Sequence, residues 1–71
     1  MQRKIKIRTD YITLGQFLKY VNVIGSGAEA KLYLQEKVAI VNGEEENRRG
    51  RKLYPDYIVV VEGEEYLIQG E

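Results

Sequence analysis

Two short stretches, Thr13-Leu14-Gly15-Gln16 and Ser26-Gly27-Ala28-Glu29, constrain this chain more than any other feature. Each sets a hydroxyl residue three places before a Gln or Glu. In that capping-box pattern the two side chains satisfy each other's free backbone N–H at a helix start. After the first, Leu14, Phe17, Leu18 and Val21 recur at helical spacing as one apolar stripe, with Lys19 off it. After the second, Ala30, Tyr33 and Leu34 give the stripe of a helix running to about Glu36, with Ala28 and Leu32 beside it. Asn22 to Gly25 is a short connection, so the centre of the chain is predicted to be a helical pair. Gly15 weakens the first helix by roughly 1 kcal/mol against Ala, but lies in the first turn, where its backbone can be approached.

Strand signals flank the pair. Arg3-Lys4-Ile5-Lys6-Ile7-Arg8 alternates with period two, setting Ile5 and Ile7 on one face and Lys4, Lys6 and Arg8 on the other. Thr9-Asp10 breaks it. After the helices, Lys37 to Val41 reads as a strand, Asn42-Gly43 as a tight hairpin turn, and Glu44 to Glu46 as a return strand of poor propensity. Asn47 to Lys52 reads as a polar loop and Leu53-Tyr54-Pro55-Asp56 as a turn. Tyr57 to Val61 is the strongest strand signal, Glu62-Gly63 turns the chain, and Tyr66 to Gln69 is the last strand. Short turns between the late strands predict antiparallel pairing. The fold expected is α+β: two helices packed on a small twisted antiparallel sheet.

The chain has 71 residues, room for one domain with a thin core. It has no Cys and no His. That excludes disulfides, thiolate or imidazole metal sites, thiol nucleophiles and imidazole bases. No acid–base pair or phosphate-cradling Gly-rich loop can be placed, so an enzyme is not expected, nor a cofactor or metal. The longest apolar run, Tyr57 to Val61, is too short to span a membrane. The basic start, Met1 to Lys6, has no apolar stretch behind it, so no secretory signal is read and a cytoplasmic location is expected.

The formal charge is zero, but it is segregated. Residues 1–43 are net basic, Glu44 to Glu46 acidic and residues 47–52 strongly basic. Residues 53–71 carry only acids among their charges. At physiological salt a ligand responds to the local patch more than to the total. The cluster Arg48, Arg49, Arg51 and Lys52 is the first candidate site. Arg supplies planar paired donors for phosphate, and Gly50 lets the loop bend so that its arginines can face one way. The alternative is a solvated loop neutralised by Glu44–Glu46. Ser26-Gly27 at a helix N-terminus, with Lys31 a turn on, is a second candidate, which taken alone reads first as an ordinary cap. Lys19 is a similar candidate. The N-terminal cations Arg3, Lys4, Lys6 and Arg8 can extend a phosphate surface or simply guard an edge strand. Among the tyrosines, Tyr54 lies beside the basic loop, where an unpaired base can stack.

Thr13 to Lys19, Ser26 to Lys31 and Val41-Asn42-Gly43, in that order and spacing, resemble the RNA-binding domain first described in small-subunit ribosomal protein S-four. Asn47 to Leu53 looks like the small stand-alone bacterial members of that family, the YaaA type. The resemblance runs from about Ile12 to Val61. It implies one RNA-binding domain over residues 1–71, with a core of about 12–61 and an N-terminal strand in 1–9. It implies the helical pair called the αL motif, and RNA contacts from Gln16, Lys19, Ser26, Gly27, Lys31, Arg48, Arg49, Arg51 and Lys52. Many family members carry Arg where Thr13 and Gly27 stand and Asp where Gly15 stands, so here the load shifts to the Arg48–Lys52 loop.

The function expected is therefore non-enzymatic binding of structured RNA, ribosomal, ribosome-associated or tRNA-like. An adaptor that docks ribosomal proteins through its charged patches is the alternative. DNA binding ranks below both, because the second helix lacks Arg, Asn or Gln at its start to read bases.

Overall fold

The computed structural model describes residues 2–71. Its elements are β1 (Gln2–Ile7), β2 (Ile12–Thr13), α1 (Leu14–Tyr20), α2 (Gly27–Glu36), β3 (Ala39–Val41), β4 (Glu44–Glu46), β5 (Lys52–Leu53), β6 (Ile58–Val61) and β7 (Glu64–Gly70). The fold is α+β. Five strands form one sheet in the order β1-β7-β6-β3-β4, and β2 pairs with β5 in a second, minimal sheet.

The first capping box forms as its sequence demands. Gln16 N–H donates to the Thr13 hydroxyl at 3.3 Å, and Thr13 N–H donates to Gln16 Oε1 at 3.1 Å. At the other end of α1, Asn22 takes a left-handed φ of 64°. Asn22 and Val23 N–H groups donate back to the Lys19 and Leu18 carbonyls, a Schellman-type stop that turns the chain toward α2. The second capping box does not form. Ser26 occupies the N-cap position, but its hydroxyl makes no capping bond. Glu29 N–H donates instead to the Ser26 carbonyl at 3.2 Å, a backbone bond that leaves the hydroxyl unused.

Both hairpin turns are two residues long with positive φ at each: 51° and 84° at Asn42-Gly43, and 51° and 74° at Glu62-Gly63. Those values match the twist of the strands they join. They fix the register, setting Ala39 opposite Glu46 and Val59 opposite Tyr66. The sheet is mixed, which corrects the expectation of a wholly antiparallel one. β1 runs parallel to β7, with Ile5 beside Ile68 and Arg3 beside Tyr66. No short turn ties β1 to a neighbour, and the rest of the chain supplies the long crossover that a parallel pair needs. The strand expected over residues 1–9 is thus ordered and paired over Gln2–Ile7; Met1 lies outside the described residues.

One core unites these layers. Leu14, Phe17 and Leu18 of α1 and Ala30 and Leu34 of α2 meet Ile7, Ala39, Val41, Val59, Val61, Tyr66 and Ile68 of the sheet. Phe17 meets Tyr66 edge-on, with centroids 5.2 Å apart. Ala28 and Leu32, off the α2 stripe, face solvent. Leu53, fully buried, anchors the small β2–β5 sheet in the same core.

Part of the segregated charge is paired within the chain. The parallel pairing sets the basic N-terminal strand beside the acidic C-terminal one. Arg3 lies 3.5 Å from Glu64, Arg8 lies 3.4 Å from Glu71, and Gln2 donates to Glu65. All these groups are solvent-exposed, so they orient β1 more than they stabilise it.

Candidate nucleic-acid interface

The loop from Asn47 to Arg51 is held at three places. Glu46 comes first. A two-residue hairpin puts residues facing each other across β3 and β4 on one side of the sheet, so Glu46 shares the inward side with Ala39. It is 8% exposed. A carboxylate so placed needs partners. Arg48 supplies its backbone N–H at 3.1 Å, Nε at 3.0 Å and Nη2 at 3.1 Å, and Arg51 supplies Nη1 at 3.1 Å. The Arg48 guanidinium, ahead of the other partners, pulls the Glu46 carboxyl down to about 2. Its own pKa is raised in return. Glu46 is therefore not one of three solvated acids, as the run Glu44–Glu46 suggests; only Glu44 and Glu45 face water.

The second hold is the start of α1. Its first N–H groups, which have no partner within the helix, donate to the loop: Leu14 N–H to the Arg51 carbonyl at 2.8 Å and Gly15 N–H to the Arg49 carbonyl at 2.9 Å. Gly15 is where α1, α2 and the loop converge. A Cβ there would lie 3.4 Å from the Arg49 carbonyl and 3.5 Å from the Ala30 methyl. The third hold is the β2–β5 pair, Ile12 with Leu53 and Thr13 with Lys52. Arg51 N–H donates to the Arg48 carbonyl, closing a tight turn. Gly50 does not use a left-handed φ there. The loop therefore bends without glycine's special freedom, which corrects the reason read from the sequence.

The cations are thus presented from a prefolded loop, with three net positive charges after Glu46 is counted. The Arg48 side chain is 71% exposed even while paired. Arg49 makes no ion pair or side-chain hydrogen bond among the described residues. Lys52 stands 4.9 Å above the Tyr11 ring and Arg51 5.9 Å from the Tyr57 ring. An open groove of about 580 Å³ runs along this face, lined by Arg48, Gly50, Arg51, Lys52, Tyr54 and Tyr57.

Gln16 and Lys19 continue the surface. Gln16 and Tyr11 share an adjoining groove with Thr9 and Asp10, and Gln16 and Lys19 share a third with Thr9, Ile12 and Tyr20. The Gln16 carbonyl oxygen is committed to the α1 cap, which leaves its NH₂ to face outward. Ser26, Gly27 and Lys31 line none of these three grooves. They are exposed at the start of α2, and nothing lies within 4 Å of a Cβ built on Gly27. The structure brings six of the nine sequence candidates together: Gln16, Lys19, Arg48, Arg51 and Lys52 line these grooves, and Arg49 is tied to the start of α1 by the Gly15 N–H, but Ser26, Gly27 and Lys31 lie apart.

Sequence reading missed Glu46, Tyr11 and Tyr57. Two signals were present. The Asn42-Gly43 turn fixes Glu46 opposite Ala39, and Pro55-Asp56 is a turn signal that sets Tyr54 and Tyr57 at its two ends. A separate polar cluster lies on α2 and the β6–β7 turn. Tyr33 donates to Glu62 at 2.7 Å, and Lys37 Nζ donates to the same carboxylate at 3.0 Å. Burial first, then the Glu62 carboxylate, push the Tyr33 phenol up to about 12, and Tyr33 and Lys37 hold the Glu62 carboxyl down. Among the described residues no group of acids is placed to hold a metal, and no helix is long and apolar enough to cross a membrane.

A helical pair on a mixed sheet, with a basic loop seated on the first helix, is the frame of a known family. Residues 5–69 match the model of the S4 domain, and the chain belongs to that family. It is also similar to a protein of Bacillus subtilis (strain 168) named "Probable ribosome maturation protein RlbA", with 54% identity over 63 residues covering 89% of each chain.

Proposed function

We propose that this S4-domain chain binds structured RNA without catalysing a reaction on it, and that the RNA is ribosomal or ribosome-associated. The observation that carries the reading is the prefolded basic loop. Glu46 and the first N–H groups of α1 fix its backbone, so little ordering entropy is lost when phosphates dock. Arg48, Arg49, Arg51 and Lys52 supply the phosphate contacts, Gln16 and Lys19 extend them along α1, and Ser26, Gly27 and Lys31 add a second contact at α2. Recognition is of shape and phosphate position. The name of the Bacillus subtilis relative supports a place in ribosome maturation, and with it a cytoplasmic location. The alternative, an adaptor working through exposed acidic and basic patches, is weakened by the pairing of Glu62, Glu64 and Glu71 within the chain.

The test is fluorescence anisotropy with a labelled structured ribosomal RNA fragment at several salt concentrations, with duplex DNA as control. Contact with about four to six phosphates gives a log–log salt slope of roughly −3 to −5. Replacing Arg48, Arg49, Arg51 and Lys52 by Ala is expected to weaken binding and flatten that slope. Equal affinity for RNA and DNA, or a variant that binds as wild type does, overturns the proposal. An association with ribosomes that survives RNase favours the adaptor.

A further inference from the structure

We infer that the groove beside the basic loop takes one unpaired nucleotide, its base stacked on Tyr54 and its phosphate held by the loop cations. The inference rests on the RNA-binding reading and adds to it the kind of RNA feature that is recognised.

Three rings gather here, Tyr54 and Tyr57 lining this groove and Tyr11 the adjoining one. The Tyr54-Pro55-Asp56-Tyr57 turn, closed by Tyr57 N–H on the Tyr54 carbonyl, brings the Tyr54 and Tyr57 centroids within 5.7 Å, and the Tyr11 centroid lies 5.8 Å from that of Tyr54. The rings are inclined at 50° and 64°, so they brace Tyr54 without covering it as a parallel stack would. Tyr54 remains 40% exposed. Lys52 stands over Tyr11 and Arg51 over Tyr57; among the described residues Tyr54 has no such cation. It is the ring of the three left without a cationic partner, and it lines the groove together with Arg48, Arg51 and Lys52.

The volume, about 580 Å³, lies within the range of small-molecule sites. Gly50 lines it without a side chain. Its backbone does not need glycine, and a Cβ there meets nothing within 4 Å. A base in a duplex offers no free face to such a ring, so the fitting ligand is a nucleotide in a bulge or loop. Stacking on an aromatic ring tolerates any base, which makes a fluorescent base a fair probe.

The experiment uses an RNA hairpin carrying one bulged 2-aminopurine and the same hairpin fully paired, at a salt concentration where the ribosomal RNA fragment binds. Wild type is expected to prefer the bulged hairpin by roughly tenfold and to quench its fluorescence. Tyr54→Phe keeps both effects, because stacking needs the ring and not the hydroxyl. Tyr54→Ala loses both but retains weaker, salt-dependent binding. Gly50→Leu fills the groove with Tyr54 in place and also loses the preference; melting curves check that each variant is folded. Equal affinity for the two hairpins, absence of quenching, or full quenching by Tyr54→Ala overturns the inference while binding of the ribosomal fragment stands. Loss of binding to every RNA, the ribosomal fragment included, overturns the RNA reading itself.

Discussion

Glu46 holds Arg48 through both its backbone N–H and its guanidinium, at 3.0 to 3.1 Å, from the inward side of an edge strand. One carboxylate therefore fixes where the basic loop leaves the sheet and which way its first arginine points. It also charges the loop in a defined way, since Arg51 shares the same carboxylate and the remaining cations face outward.

The first consequence is a pH dependence. The Glu46 carboxyl titrates near 2 in the folded chain against an ordinary value of 4.5. A depressed value means its contribution is complete above about pH 5 and is lost as the pH falls through 4.5 toward 2. Thermal denaturation followed by circular dichroism is expected to show a falling midpoint over that window. Glu46→Gln should cost about 1–2 kcal/mol at neutral pH, since both guanidiniums can turn to water, and should show a shallower acid limb. Glu62 moves in the same direction, so the difference between wild type and the variant isolates Glu46. Parallel acid limbs would refute the assignment.

Arg48 and Arg49, adjacent in sequence, should separate in experiment. Arg48→Ala removes a partner of Glu46 and is expected to lower both stability and RNA affinity. Arg49→Ala keeps the backbone carbonyl that accepts from Gly15 N–H and removes only a guanidinium with no partner among the described residues. Stability should stay within about 0.5 kcal/mol. The salt slope for RNA should fall by about 1. Urea titration and salt-series anisotropy on both variants check this.

Gly15 admits a methyl group and nothing much larger. Its Cβ would make ordinary contacts with the Arg49 carbonyl and Ala30. Gly15→Ala is therefore expected to raise stability by about 0.4–1 kcal/mol through the unfolded state. Gly15→Leu should wedge the loop from the helix and lower stability and RNA affinity together. If the leucine variant binds RNA as tightly as wild type, the seating of the loop on α1 does not matter for binding.

At high pH the Tyr33 phenol should reveal itself. Its value of about 12 lies above the ordinary 10, so its contribution to stability is complete below about pH 10 and is lost as the pH rises toward 12. Ultraviolet absorbance titration is expected to show one phenol ionising near pH 12 that is absent from Tyr33→Phe. An unchanged alkaline limb in that variant would assign the late phenol to another tyrosine.

Much of this was readable along the chain, and the parts that were not have a common cause. The Thr13–Gln16 box, the Leu14-Phe17-Leu18 stripe and the Asn42-Gly43 turn act within a few residues, and the structure follows them closely. The Ser26–Glu29 pattern, identical in form, made no side-chain cap, because the backbone bond from Glu29 met the need first. Ile12 and Leu53 carry no periodicity of their own, so a two-residue pairing between them left no local sign. Of the candidate site, the cations were legible as a cluster, whereas the grouping of Tyr11, Tyr54 and Tyr57 was not, because Tyr11 comes from the far end of the chain.

The sequence by itself determined the helical pair, the two hairpins and the concentration of positive charge at residues 48–52, since each depends on neighbours in the chain. Tertiary structure decided the parallel pairing of β1 with β7, the burial of Glu46 and the seating of the loop on α1. Those depend on which surfaces remain to be covered once the local elements exist. A buried carboxylate and an open helix end both require partners, and the loop that satisfied both became the surface that carries the charge.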